Sequence, residues 1–163
     1  MVTISIELPE YLGQWLVNAM GGREPVVFPK GSAFNSFLRV FLRNKRESDR
    51  VIIDSGSGVR IVVPHFPGKD PESYNYLPHN ARESFVSLIR DSFDVELFTE
   101  MSSFPTATQK RKGAELLNLW MEAHGIDLTD RNTCAVLKRL QLLRRRSRDR
   151  ERKRKRQRRT QTP

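Results

Sequence analysis

Val2, Ile4, Ile6 and Leu8 alternate with Thr3, Ser5 and Glu7, a period of two that predicts a half-buried strand. Pro9 stops the strand and suits the first turn of a helix. The apolar residues Leu12, Trp15, Leu16, Ala19 and Met20 then recur at helical spacing until Gly21-Gly22. Val26-Val27-Phe28, between Pro25 and Pro29, reads as an edge strand or extended loop. Ser32 is placed to cap a second helix bearing Phe34, Phe37, Leu38, Phe41 and Leu42. Val51-Ile52-Ile53 and residues 59–63 flank Asp54-Ser55-Gly56-Ser57-Gly58, which predicts a β-hairpin whose strands are buried on both faces.

Pro64, Pro67, Gly68 and Pro71 break regular structure, and the second half of the chain is helical in pattern. Asn80 can cap a helix carrying Phe85, Leu88, Ile89, Phe93 and Leu97, which Ser102-Ser103-Phe104-Pro105 interrupts. A further helix carries Leu116, Leu117, Leu119, Trp120 and Met121 and ends at Gly125. Thr129, Asp130 or Asn132 can cap the last helix, with Val136, Leu137, Leu140 and Leu143 as its apolar residues. No apolar side chain separates Leu143 from Pro163. The predicted fold class is α+β: a strand/helix unit with the hairpin at 1–65, a Pro-rich linker at 66–79, a helical unit at 80–143 and an Arg-rich tail at 144–163. The tail has nothing with which to pack, so its expected unbound state is frayed or disordered.

Charge sharpens this division. The chain has 163 residues, 29 Lys+Arg and 19 Asp+Glu, a net of +10. Residues 138–163 hold 11 Arg and three Lys against Asp149 and Glu151, which leaves residues 1–137 with 15 basic and 17 acidic side chains. The body is near neutral and the end is strongly cationic. Arginine presents a planar fork of donors that fits phosphate bidentately. Nucleic acid is therefore the expected partner, duplex DNA before RNA, with Lys138, Arg139, Arg144, Arg145, Arg146, Arg148, Arg150, Arg152, Lys153, Arg154, Lys155, Arg156, Arg158 and Arg159 as phosphate contacts. Lys110, Arg111 and Lys112 are expected as secondary ones. No apolar run approaches a membrane span, so no membrane partner is expected.

Such a tail reads no sequence by itself. The helices flanking Gly125 have the layout of a helix-turn-helix, with Arg131 and Asn132 where base edges are met, though the connection is longer than usual for that motif. An ordinary helical hairpin is the competing reading. The N-terminal strand and two helices loosely resemble ribbon-helix-helix repressors, with Thr3, Ser5 and Glu7 outward. Glu7 and the long connection from Gly21 to Lys30 favour instead a strand inside an α+β sheet.

Enzyme motifs are absent: no GxGxxG, Walker A, HExxH or GxSxG occurs. His65, His79 and His124 have no neighbour at metal-ligand spacing, so neither a metal nor a cofactor is expected. The lone Cys134 reads as an inert core residue, and Tyr74 and Tyr76 as pins holding the linker to the body. Phe34, Phe37 and Phe41 can line a core or a homo-oligomer interface.

The order Val-Phe-Pro, Ser, Leu, then Lys69-Asp70-Pro71-Glu72-Ser73-Tyr74-Asn75-Tyr76-Leu77, then a helical half with an Arg-rich end resembles small nucleic-acid-binding-like proteins of bacterial phages and conjugative elements. The resemblance spans most of the chain, and it implies a bacterial DNA-handling accessory protein. The expected function is non-enzymatic nucleic-acid binding in the cytoplasm at the nucleoid. The alternatives are an RNA-binding protein, or a phage or mobile-element structural protein that contacts nucleic acid without sequence preference.

Overall fold

A computed structural model describes residues 1–49 and 58–160. The N-terminal alternation forms β1 (Thr3–Ile6), followed by helices α1 (Glu10–Ala19) and α2 (Ala33–Phe41), then β2 (Val59–Val62). Three long helices follow: α3 (His79–Ser103), α4 (Thr106–Ala123) and α5 (Asp130–Thr160). The described residues are thus mostly helical, with five helices and a two-stranded antiparallel sheet in an α+β arrangement. No helix among them is long and apolar enough to cross a membrane.

The first strand and turn of the expected hairpin, residues 51–57, lie outside the described residues. Its second strand is β2, and β2 pairs with β1 from the far end of the unit: Ile4 stands opposite Ile61 and Ile6 opposite Val59. Those four side chains are buried, while Arg60 is exposed and 3.5 Å from Glu24. β2 is therefore buried on one face, not two. The pairing also places Ser5 opposite Arg60, inside a sheet of its own chain. Val26 adds a single parallel bridge to Ile61, with its N–H donating to the Arg60 carbonyl at 2.8 Å.

One continuous set of buried side chains runs from Ile4 through Leu38, Phe85, Phe93 and Trp120 to Leu140. Helix starts follow local chemistry. Ser32 Oγ accepts from the Asn35 N–H at 3.1 Å and caps α2 as expected. α3 opens at His79 after Pro78, two residues earlier than a cap at Asn80 requires, because proline at the helix entrance has no N–H to leave unsatisfied. Phe34 joins Phe28 and Phe85 in the core, Phe37 is half-buried, and Phe41 is exposed, its ring tilted against that of Phe37 with centroids 4.3 Å apart.

The segment between β2 and α3 is tied down by its own side chains. Tyr76 exchanges two backbone hydrogen bonds of 3.1 Å with Arg43, whose guanidinium lies 4.8 Å from the Tyr76 ring centre. Lys69 Nζ donates to the Arg39 and Leu42 carbonyls at the end of α2, at 2.5 and 2.9 Å. Cations suit that position, where the last helical carbonyls lack partners.

Arg43 also grips Asp49 with two bonds of 2.7 Å, and the Arg46 N–H adds a third at 2.6 Å. These bonds, that from Arg43 first, lower the Asp49 carboxyl from 3.8 to about 2. A depressed carboxylate stabilises the fold above its unfolded pKa and loses that contribution as pH falls through the folded one. Asp49→Asn is expected to lower the melting temperature at neutral pH, with the gap to wild type closing as pH falls from 3.8 towards about 2. Paired thermal melts across that range check it; a gap independent of pH contradicts the assignment.

Candidate nucleic-acid interface

The junction of α4 and α5 decides which cations face outward. α4 closes in a Schellman turn: the Gly125 N–H donates to the Glu122 carbonyl and the Ile126 N–H to the Met121 carbonyl, at 3.1 and 2.9 Å. Gly125 has φ +69°, and a side-chain carbon there would meet Asn18 of α1 at 2.8 Å. Glycine is required twice, for the backbone angle and for the close approach of α1. Ile126 is buried behind the turn. Thr129 Oγ1 then accepts from the Asn132 N–H at 3.2 Å and caps α5.

This docking onto α1 places the two expected base-edge residues, Arg131 and Asn132, differently. Asn132 is 1% exposed; its amide donates to Gln14 Oε1 and to the Asp127 carbonyl, both at 3.2 Å. Gln14 in turn donates to Asp127 Oδ2 at 2.6 Å and accepts from the Asp127 N–H at 3.0 Å. Asn132 is a buried fastener between α1 and α5, not a base-edge contact. Arg131 is exposed beside it, about 20 Å along the axis from Arg144 at 1.5 Å per residue. At the start of α5, then, Asn132 is turned into the body while Asp130 and Arg131 stay exposed.

Arg139, expected as a phosphate contact, is also held by the body. It lies on the stripe with Asn132, Val136, Leu140 and Leu143 that faces the body. Its guanidinium forms a two-pronged pair with the buried Asp94 of α3, Nε to Oδ1 at 2.6 Å and Nη2 to Oδ2. The carboxylate holds the Arg139 guanidinium above its ordinary, already high value. Removing either partner strands a charge at the core edge, so Arg139 serves to lock α5 to α3. Cys134, expected in the core, is exposed on α5.

Beyond this anchor the helix leaves the body. Lys138 is exposed, Arg144 is half-buried, and every described side chain from Arg145 to Arg158 is exposed. Arg159 follows in the last turn of α5. The cationic segment is helical from Arg144 to Thr160, where the sequence alone suggests fraying. Lys155 Nζ pairs with Glu151 at 2.8 Å, one turn apart, and holds the Glu151 carboxyl below its ordinary value. At about 100° per residue, Arg144, Arg145 and Arg146 already point to three sides of the axis. The charge therefore rings the helix and does not form one face.

The base of this helix meets the start of α4. Arg144 Nη2 donates to Gln109 Oε1 at 2.9 Å, and the exposed Lys110, Arg111 and Lys112 follow Gln109 directly. α4 departs from helical geometry at Lys112 (φ −126°, ψ 23°). So the fold brings the secondary cations beside the root of the projecting helix. Gln109 and Asp94, which position α5, give no local sign of that role in the sequence. No family model matches the chain, and neither a curated protein nor a solved structure matches it.

Proposed function

We propose that the protein is a non-enzymatic nucleic-acid-binding protein whose α5 lies along duplex DNA, with Lys110, Arg111 and Lys112 meeting phosphates beside its root. The observation that carries the reading is the ring of cations around a helix fixed at one end to the body. A helix in a groove has phosphates on both flanks, so charge on every side is useful there. A flat acidic surface would engage only one face. Lying in a membrane interface as an amphipathic helix requires an apolar face, and residues 144–160 contain none.

Groove size favours duplex DNA. An α-helix with side chains is about 10–12 Å across, and the B-form major groove is about 12 Å wide. The A-form major groove of RNA is deep and narrow. The projecting segment from Arg144 to Thr160 spans about 25 Å, enough to follow the groove for most of a turn. The excess of Arg over Lys supports structured RNA as the second reading, because arginine-rich segments also fold on RNA. With Asn132 buried, affinity rests on phosphate contact, which fits an accessory protein of DNA better than a sequence-specific regulator.

A salt titration tests this. If about eight cations meet phosphate, log affinity for duplex DNA falls with log salt at a slope near −7. Unlabelled duplex should displace the bound duplex more effectively than an RNA hairpin of equal charge. A slope shallower than about −2 removes the proposal, since so few phosphate contacts leave the cationic helix without a role.

A further inference from the structure

Away from the cationic helix, three side chains remote in sequence converge between α3 and the end of α4. Glu96 and Glu100 are four residues apart on α3 and share a face. His124 is the C-cap of α4, directly after Ala123 and set by the Schellman turn. One donor atom from each lies within 4.8 Å of the others. His124 Nε2 is 3.1 Å from Glu96 Oε1 and 3.6 Å from Glu100 Oε2.

The imidazole is fixed from behind. Its ring stacks on Trp120 with centroids 4.1 Å apart, and Nδ1 is 2.7 Å from the Trp120 carbonyl oxygen. A carbonyl only accepts, so Nδ1 carries a proton and Nε2 is the atom offered to the carboxylates. The carboxylates are held as well. Trp15 Nε1 donates to Glu96 Oε2 and Trp120 Nε1 to Glu100 Oε2, each at 3.0 Å. Outer partners that orient an imidazole and its neighbouring carboxylates are the usual second layer of a metal site.

A nitrogen lone pair facing two carboxylates needs a cation between them, either a proton or a metal ion. A proton on Nε2 serves Glu96 along one line and leaves Glu100 beyond hydrogen-bond distance. A metal ion serves all three. Zinc bonds of about 2.0–2.1 Å in a tetrahedron set ligand atoms roughly 3.3 Å apart, and the two separations at Nε2 are 3.1 and 3.6 Å. Magnesium and calcium prefer oxygen-only shells. We propose that Glu96, Glu100 and His124 bind a divalent transition-metal ion of the zinc class, with water in the fourth position. His124 is 16% exposed and the carboxylates 35% and 49%, so the ion and its water have a path from solvent.

Zn2+ titrated calorimetrically into the full chain is expected to bind at one ion per chain. Glu100→Gln and Glu96→Gln each keep an oxygen that can accept the indole N–H but remove the ligating charge. Each is expected to weaken Zn2+ by more than the about 10–100-fold seen when only an outer partner is lost. Co2+ in the same site should give the visible absorption of a four- or five-coordinate ion, lost in both variants. His79→Ala removes an exposed His–Glu pair elsewhere on α3 and should change nothing. Circular dichroism matching wild type in either glutamine variant keeps that variant informative. No Zn2+ binding by the wild type, equal binding by both glutamine variants, or loss in His79→Ala would overturn the site.

Discussion

A chain ending at Arg144 is expected to lose duplex DNA binding while keeping the melting temperature of the full protein. The two halves of that expectation rest on different residues. The melting temperature is held by the α5 stripe that faces the body, Asn132, Val136, Arg139, Leu140 and Leu143, and by the Arg144–Gln109 bond. All of these survive the truncation. The residues removed beyond Arg144 include nine Arg and two Lys, and the described ones touch no core. Non-specific duplex binding by proteins in general falls at about 10⁻⁴ to 10⁻⁶ M at physiological salt, nearly all of it phosphate contact, and the full chain is expected in that range. With Lys110, Arg111 and Lys112 as the main phosphate contacts left, the salt slope should fall from near −7 to about −3. Fluorescence anisotropy at several salt concentrations, with melts of both chains, gives both numbers. Binding that survives truncation would move the interface onto the body and end the case for α5. A large drop in melting temperature would mean instead that the projecting helix packs on something.

The pattern from residue to residue predicts elements well here and partnerships poorly. The five helices are visible because their apolar spacing, prolines and glycines act within a turn or two of chain. Ser32 and Thr129 cap for the same local reason. The α5 stripe is also legible: Cys134 lies two residues from both Asn132 and Val136, hence on the opposite side of the helix, and its exposure follows. Arg139 is seven residues from Asn132 and so belongs on the buried side. Its partner Asp94 is not legible, because 45 residues separate them. Gln14 and Asp127 are 113 residues apart, and nothing local in either announces the bond that ties the turn before α5 to α1. The β1–β2 pairing is equally non-local, and a hairpin is what a sequence reading substitutes for it. Glu96 and Glu100 at helical spacing look like a solvated face until the end of α4 brings His124 to them. The side chains that meet in this fold come mostly from long separations, and the cationic run is the exception that composition alone reveals, though not its helical form.

Phe93→Ala is expected to cost about 3–5 kcal/mol, the range for truncating a fully buried aromatic residue. Phe93 is 0% exposed, at the middle of α3. Three aromatic rings from other helices meet it: Tyr11 and Trp15 of α1, each with centroids 5.4 Å away, and Trp120 of α4 at 5.7 Å. The two tryptophans meet it edge-on, the favoured arrangement for aromatic pairs, worth about 0.5–1.5 kcal/mol each beyond area burial. Three rings cannot collapse into the vacated space without leaving their rotamers, so most of the cavity persists and the upper part of the range is expected. Against a total stability of roughly 5–15 kcal/mol for a single domain, the loss is large. Urea unfolding of wild type, Phe93→Ala and Phe93→Leu measures it, with the leucine variant losing less because it retains part of the volume. A loss below about 1 kcal/mol for alanine would mean that the rings repack and that Phe93 is not the point where α1, α3 and α4 meet. The same two tryptophans hold Glu96 and Glu100 through their indole N–H groups. Under conditions where Phe93→Ala remains folded, Zn2+ affinity should therefore weaken while the salt slope of duplex binding stays unchanged, because Arg145 and the cations beyond it lie outside this aromatic cluster.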